Sequence, residues 1–117
     1  MNKKLLSEVL GEEVTFIYEE LDEYNMLHYI INNCKCRTNI YELAHKVKEW
    51  ALSLNFKLYS VLVKDGSKTN LHKVFKNINK SIIDKTFRAD TEPEAIFKAG
   101  EWVLKEINNG IDYWWFN

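Results

Sequence analysis

Proline and glycine are scarce in this chain of 117 residues, which contains one proline and four glycines. This scarcity excludes collagen-like, linker-rich and low-complexity proteins. No apolar run reaches the roughly eighteen residues of a membrane-spanning helix. The N-terminal residues start like a signal peptide, but Glu8, Glu12 and Glu13 interrupt them before a long apolar stretch develops. Two cysteines are too few for a disulfide framework, so we expect a protein of the reducing cytoplasm.

Sequence motifs of catalysis are also missing. The chain contains no phosphate-binding glycine loop, no Gly-x-Ser-x-Gly nucleophile elbow and no calcium-binding loop. No pair of acids stands at a spacing typical of acid–base catalysis. The sequence therefore predicts a protein that is not an enzyme, with no catalytic residue, no metal and no cofactor.

The closely spaced cysteines Cys34 and Cys36 leave one alternative open. Together with His28 and His45 they could supply thiolate and imidazole ligands to a tetrahedral zinc ion. Zinc sites usually place two to four residues between paired cysteines, and the chain has no second pair. A cysteine–histidine nucleophile is a weaker alternative, because nothing in the sequence places a histidine beside either sulfur. We favour two free thiols and, for His28, His45 and His72, boundary positions on three different elements.

The residues that are abundant indicate one globular domain. The chain is 46% hydrophobic and 28% charged, and its length allows about two thirds of the unfolded surface to be buried. Apolar spacing predicts helices over 3–10 and 40–54, and Gly11 and Asn39 are suitable end residues for them. A third helix begins after Thr91, with Pro93 in its first turn and Glu94 completing a capping box, and it ends near Gly110.

β-branched and aromatic residues predict strands over 14–18, 24–31, 56–63 and 71–76, with a further one over 82–89. The intervening residues 19–23 and 32–38 read as an acidic turn and a polar loop. Hairpins favour antiparallel pairing, and amphipathic helices bury their apolar faces on a sheet. The sequence therefore predicts a single α+β domain, residues 1–117, in which helices pack on an antiparallel sheet of four to five strands. Its order is helix, hairpin, helix, then a hairpin or three strands, then helix, followed by an aromatic tail over 111–117.

Three short segments resemble a known group of proteins. They are the first helix, the central helix over 41–51, and the capped helix start Thr91-Glu92-Pro93-Glu94-Ala95-Ile96. These segments are similar to small uncharacterised bacterial and phage proteins of the phage ABA-sandwich kind. The resemblance implies a prophage or mobile-element origin. It implies no catalytic residue.

Charge is distributed unevenly along the chain. Residues 1–23 carry seven acids and two lysines, whereas residues 57–88 carry eight basic residues and two acids. A basic hairpin in this second segment would attract phosphates, and its aromatic residues would stack on bases. This alternative function is nucleic-acid binding through Lys73, Lys76, Lys80, Lys85 and Arg88, with Phe56, Tyr59, Phe75 and Phe87 beside them. The opposing interpretation places these aromatics in the core and the lysines at strand edges, where they prevent unwanted pairing.

Two features favour a protein partner instead. The acidic turn contains Glu19, Glu20, Asp22 and Glu23, and the C-terminal tail contains Tyr113, Trp114, Trp115 and Phe116. Tryptophan and tyrosine dominate the energetics of protein interfaces, and a tail of this kind also permits a homodimer. We therefore predict a non-enzymatic phage or prophage accessory protein that acts as a protein-binding module, without a membrane association.

Overall fold

The computed structural model describes residues 1–74 and 81–109. Helices and strands follow one another in this part of the chain in the order α1 (Lys3–Leu10), β1 (Val14–Ile17), β2 (Met26–Ile31), β3 (Cys34–Asn39), α2 (Ile40–Ser53), β4 (Phe56–Val63), β5 (Gly66–Val74), β6 (Ser81–Ala89) and α3 (Glu92–Asn109). The predicted α+β class is confirmed. None of the three helices combines the length and the apolar character needed to cross a membrane, as far as the described residues go.

The strands form two antiparallel sheets of three strands each, ordered β1-β2-β3 and β4-β5-β6. The prediction of one sheet with four to five strands is therefore wrong, and so is the hairpin predicted before α2, which is a three-stranded sheet. After α2 the chain forms three strands, which the sequence had left open beside a hairpin. Each sheet is a three-stranded meander, and each is followed by a helix. Because meanders pair only strands that are adjacent in sequence, the chain can close both sheets locally without a crossover.

The strand that the sequence prediction missed is β3, which occupies most of the predicted polar loop 32–38. Its sequence, Cys34 to Asn39, lacks the apolar alternation that identifies a strand. The turn before it explains its formation. Asn32 and Asn33 both adopt positive φ, 51° and 63°, which is the conformation of a two-residue hairpin turn whose twist matches that of the strands. Ile31 and Cys34 pair directly across this turn.

The helix ends agree with the signals in the sequence. Asn39 caps α2 by accepting the backbone N–H of Tyr41 at 2.9 Å, and Thr91 accepts the N–H of Glu94 at 3.4 Å at the start of α3. Gly11 ends α1 in the left-handed conformation, with its N–H bonded to the carbonyl of Ser7. The predicted stop at Gly110 lies outside the described residues.

One hydrophobic cluster joins all three helices to both sheets. It contains the expected buried face of α2, represented by Leu43 and Val47, together with Ile96 of α3 and Phe56 of β4. Helix α3 packs across all three strands of the second sheet, and α2 contacts both β3 and β4. Each sheet thus turns one face toward the helices. The extents of the molecule, 43 × 37 × 18 Å, are those of a flat molecule two layers thick, and its outer sheet faces carry the candidate sites.

Candidate functional site

The outer face of the first sheet carries exposed aromatic side chains. In β2 burial alternates along the strand, so that Leu27, Tyr29 and Ile31 point into the core and the residues between them point outward. Phe16 pairs with Ile30 in the neighbouring strand, and Tyr18 follows two residues later on the same face. Phe16 is 49% exposed and Tyr18 is 37% exposed. Their rings meet edge to face, with centroids 5.0 Å apart.

The loop that joins β1 to β2 is held in place by Asp22. Its Oδ1 accepts the backbone N–H groups of Tyr24, at 2.8 Å, and Met26, at 3.1 Å. Its Oδ2 accepts a hydrogen bond from His28 Nε2 at 2.8 Å. The His28 hydrogen bond lowers the pKa of the Asp22 carboxyl below its ordinary value; partial burial opposes this effect, and the two backbone bonds add to it. The predicted acidic turn is therefore a structured loop.

A groove of about 390 Å³ lies between this loop and the sheet. Tyr18, Leu21 and His28 line it, together with the charged residues Glu20, Asp22 and Lys35. Tyr18 stands edge to face with His28, with centroids 6.3 Å apart. The groove thus combines apolar walls with both signs of charge. Of the four predicted acids, Glu19 and Glu23 are exposed, Glu20 lines the groove, and Asp22 supports it.

The basic residues of the second sheet divide between its two faces. Lys73 is 3% exposed, with Nζ 4.1 Å from the centre of the Phe56 ring and 3.4 Å from the carbonyl oxygen of Leu54. The expectation that Lys73 lies on an open basic surface is therefore corrected, because its position in β5 pairs it with Phe56 on the helix side. Lys85 is also on that side, with Nζ 4.8 Å from the Trp102 ring. Lys76 and Lys80 lie outside the described residues.

Arg88 is on the outer face of the second sheet, where two other cations join it. The register pairs Arg88 with Lys68, and Lys57 lies on the same face of β4. Tyr59 lies between Lys57 and this pair, and its ring stacks on that of His72 with centroids 4.9 Å apart and an interplanar angle of 29°. The sequence placed Lys57 and Lys68 in the basic segment but did not single them out as residues that contact phosphates. The alternation of Phe56 and Leu58 with their neighbours was the available signal, because alternate residues of a strand share a face.

The aromatic residues of the basic segment are divided in the same way. Phe56 is buried, and Phe87 packs against Trp102 of α3, with ring centroids 6.3 Å apart. These two belong to the core, as the opposing interpretation expected. Tyr59 is the one named aromatic of the segment that the structure places outward, and Phe75 lies outside the described residues.

The two cysteines do not gather metal ligands. Cys34 and Cys36 are free thiols on one face of β3. His28 pairs in register with Arg37 of β3. Because alternate residues of a strand share a face, Arg37 and His28 are on the face opposite to the two cysteines. His45 is on α2, 3.2 Å from Glu49. Among residues 1–74 and 81–109, no three histidine, cysteine or acidic side chains come close enough to hold a metal ion.

The predicted binding residues of the tail, Tyr113, Trp114, Trp115 and Phe116, lie outside the described residues. Comparisons with known proteins add no relationship: no family model, no curated protein and no solved structure matches this chain. The function of each candidate site is therefore argued from the geometry of that site.

Proposed function

We propose that this protein is a protein-binding module without enzymatic activity, and that it binds its partner on the outer face of the first sheet. One observation carries the proposal: Phe16, Tyr18 and Leu21 are exposed together, beside a groove, on a sheet face that no described element covers. Contiguous exposed apolar side chains with a polar rim mark interaction surfaces in proteins of this size. Aromatic residues of this kind are the usual anchors of protein interfaces.

The charges around the groove define the partner further. Glu20 lines the groove, and Glu19 and Glu23 are exposed in the same loop. A partner segment that inserts an apolar side chain between Tyr18 and Leu21 therefore meets carboxylates at its flank. We propose a protein segment with an aromatic or aliphatic anchor followed by lysine or arginine, because opposite charges at the rim accelerate and orient association.

The wider biological role rests on the sequence resemblance. We propose a phage or prophage accessory protein of the cytoplasm, in agreement with the three segments that carry that resemblance. A contribution of Tyr113, Trp114, Trp115 and Phe116 to partner binding, or to a homodimer, stays a prediction.

Selection from a random peptide library tests the binding site directly. We expect the purified protein to enrich peptides with an apolar anchor and a basic flank. The double variant Phe16→Ser/Tyr18→Ser should weaken their binding by at least about thirtyfold, the effect of losing an interface hot spot. Isothermal titration calorimetry measures the affinities, and thermal unfolding verifies that the variant is folded.

The matched control removes two exposed apolar side chains elsewhere. Tyr41 and Leu62 are both exposed and lie on α2 and β4, so Tyr41→Ser/Leu62→Ser should leave peptide affinity unchanged. If no peptide is enriched, or if both double variants lose affinity equally, the outer face of the first sheet is not the binding site. Glu20→Lys should reduce the preference for a basic flank and leave the apolar anchor in place.

A further inference from the structure

The outer face of the second sheet presents three rows of paired residues. Along its strands, alternate residues point away from the helices, because Phe56, Leu58 and Leu71 occupy the buried positions. The register places the outward residues side by side across β4, β5 and β6. The rows are Val61-Lys68-Arg88, Tyr59-Asn70-Thr86 and, on β4 and β5, Lys57-His72.

The pair formed by Lys68 and Arg88 is electrostatically unfavourable. The two residues are directly opposite one another on adjacent antiparallel strands, and like charges in that position destabilise a sheet. Within the part of the chain that the structure describes, neither side chain forms an ion pair. Two adjacent cations without a counter-ion form a site suited to an anion.

Edge protection does not explain Lys68. A lysine on an edge strand blocks pairing with another chain, but β5 is the central strand of its sheet and pairs with a neighbour on both sides. Arg88 is on β6, an edge strand, yet its side chain shares the outward face with Lys68. The positive charge therefore belongs to the face of the sheet and not to its edge.

The middle row supplies groups that are chemically suited to contact bases. Tyr59 stacks on His72 and its hydroxyl forms a hydrogen bond with His72 Nε2, which fixes the orientation of the ring. Next to it, the hydroxyl of Thr86 donates to Asn70 Oδ1 at 3.0 Å. The face of the phenol ring opposite His72 offers a surface for base stacking, and the Asn70 amide and Thr86 hydroxyl offer donors and acceptors to base edges.

We propose that the outer face of the second sheet binds single-stranded nucleic acid. Lys68, Arg88 and Lys57 contact phosphates, and Tyr59 stacks on a base. A single strand fits this face because its bases are free to stack. A duplex hides its base faces and admits a helix or a narrow ribbon into its groove, not the flat face of a three-stranded sheet.

Fluorescence anisotropy with a labelled, mixed-sequence single-stranded DNA oligonucleotide tests this proposal. Three phosphate contacts predict a slope of about −2 for the logarithm of affinity against the logarithm of salt concentration. The affinity should therefore fall about twentyfold between ~50 and ~200 mM salt. The same oligonucleotide annealed to its complement should bind more weakly. Absence of binding at ~50 mM salt, or tighter binding of the duplex, would overturn the proposal.

Two double variants distinguish binding at a defined site from a general attraction between the protein and the charged oligonucleotide. Lys68→Gln/Arg88→Gln should reduce the salt slope to about −0.7, because one phosphate contact remains. The control Lys46→Gln/Lys105→Gln removes the same charge from exposed positions of α2 and α3 and should leave the slope unchanged. An equal effect of both double variants would show that only net charge matters and would refute the site.

A substitution of Tyr59 tests the proposed base stack separately. Tyr59→Leu should weaken binding about 5- to 150-fold, the loss of one base stack, without changing the salt slope. Unchanged affinity in this variant would contradict the role of Tyr59 in the proposal. In a competition experiment, displacement of the oligonucleotide by an equimolar polyglutamate peptide would indicate an acidic protein ligand instead. Phe16→Ser/Tyr18→Ser should bind DNA like the unmodified protein, which keeps this proposal distinct from the peptide-binding face.

Discussion

Asp22 determines the shape of the loop between β1 and β2. One carboxylate accepts hydrogen bonds from two backbone N–H groups and from His28. A carboxylate with several donors is stabilised in its charged form, and the pKa of Asp22 is lowered as a result, first by the His28 hydrogen bond. The residue therefore links the order of this loop, and of the groove beside it, to pH.

This link predicts an acid-sensitive contribution to stability. Because the pKa of Asp22 is lower in the folded state than its ordinary value of 3.8, its contribution is complete above that value and is lost as pH falls through the lowered pKa. The difference in free energy of unfolding between the unmodified protein and Asp22→Asn should be constant near neutral pH and shrink below pH 3.8. Urea denaturation from neutral to strongly acidic pH measures it. A difference that persists undiminished in strong acid would contradict this assignment.

At the scale of the element, Gly66 allows β5 to approach β6 closely beside the Lys68–Arg88 pair. Gly66 begins β5, pairs with Val63 and has a φ of 132°. A β-carbon at this position would lie 2.6 Å from the carbonyl oxygen of Ala89 in β6. Since that neighbour is backbone, it cannot move away without displacing the edge strand. Glycine is required here for both conformation and space.

Two glycine variants separate these causes. Gly66→Ala should lower the free energy of unfolding by at least about 2 kcal/mol, because backbone strain and a steric clash act together. Gly11→Ala should cost only about 1 kcal/mol, since Gly11 also has positive φ, 73°, but faces open space. Chemical denaturation of both variants provides the comparison. Equal losses would mean that the close approach of Ala89 has no energetic effect.

At the scale of the whole molecule, Gly100 allows the three helices to meet. It lies on α3, and a β-carbon there would be 2.8 Å from Val47 Cγ1 of α2 and 3.1 Å from Leu5 Cδ2 of α1. Val47 and Leu5 are fully buried, so neither can turn into solvent. The close contact of the helices holds the common core over which both sheets pack.

Gly100→Ala should therefore destabilise the protein by about 1–2 kcal/mol, because overpacking outweighs the gain of about 1 kcal/mol in helix propensity. In the background of Val47→Ala the added methyl group has more room, and the cost of Gly100→Ala should shrink or disappear. A double-mutant cycle from urea denaturation measures this coupling. The same cost in both backgrounds would show that the helices do not meet at this point.

The sequence by itself determined most of the helices and strands. Asn39, Thr91 and Gly11 act through short-range hydrogen bonds and backbone preferences, so the helix limits were readable from neighbouring residues. The strand β3 could not be predicted in the same way, because its residues lack apolar alternation. The only sign of it in the sequence was the Asn32-Asn33 turn. The acids of the first loop were identified, but the exposed aromatics Phe16 and Tyr18 beside them were assigned only to a strand.

Only the tertiary structure decided how strands associate and which side chains each face presents. Pairing and register depend on contacts between distant residues, and a shift of one residue turns every side chain of a strand to the other face. For this reason the basic segment could be recognised from composition, whereas the separation of Lys73 in the core from Lys68 and Arg88 outside could not. Pairing joined each strand only to its neighbours in sequence, on either side of α2, and so divided the strands into two sheets with the two outer faces on which the proposed functions rest.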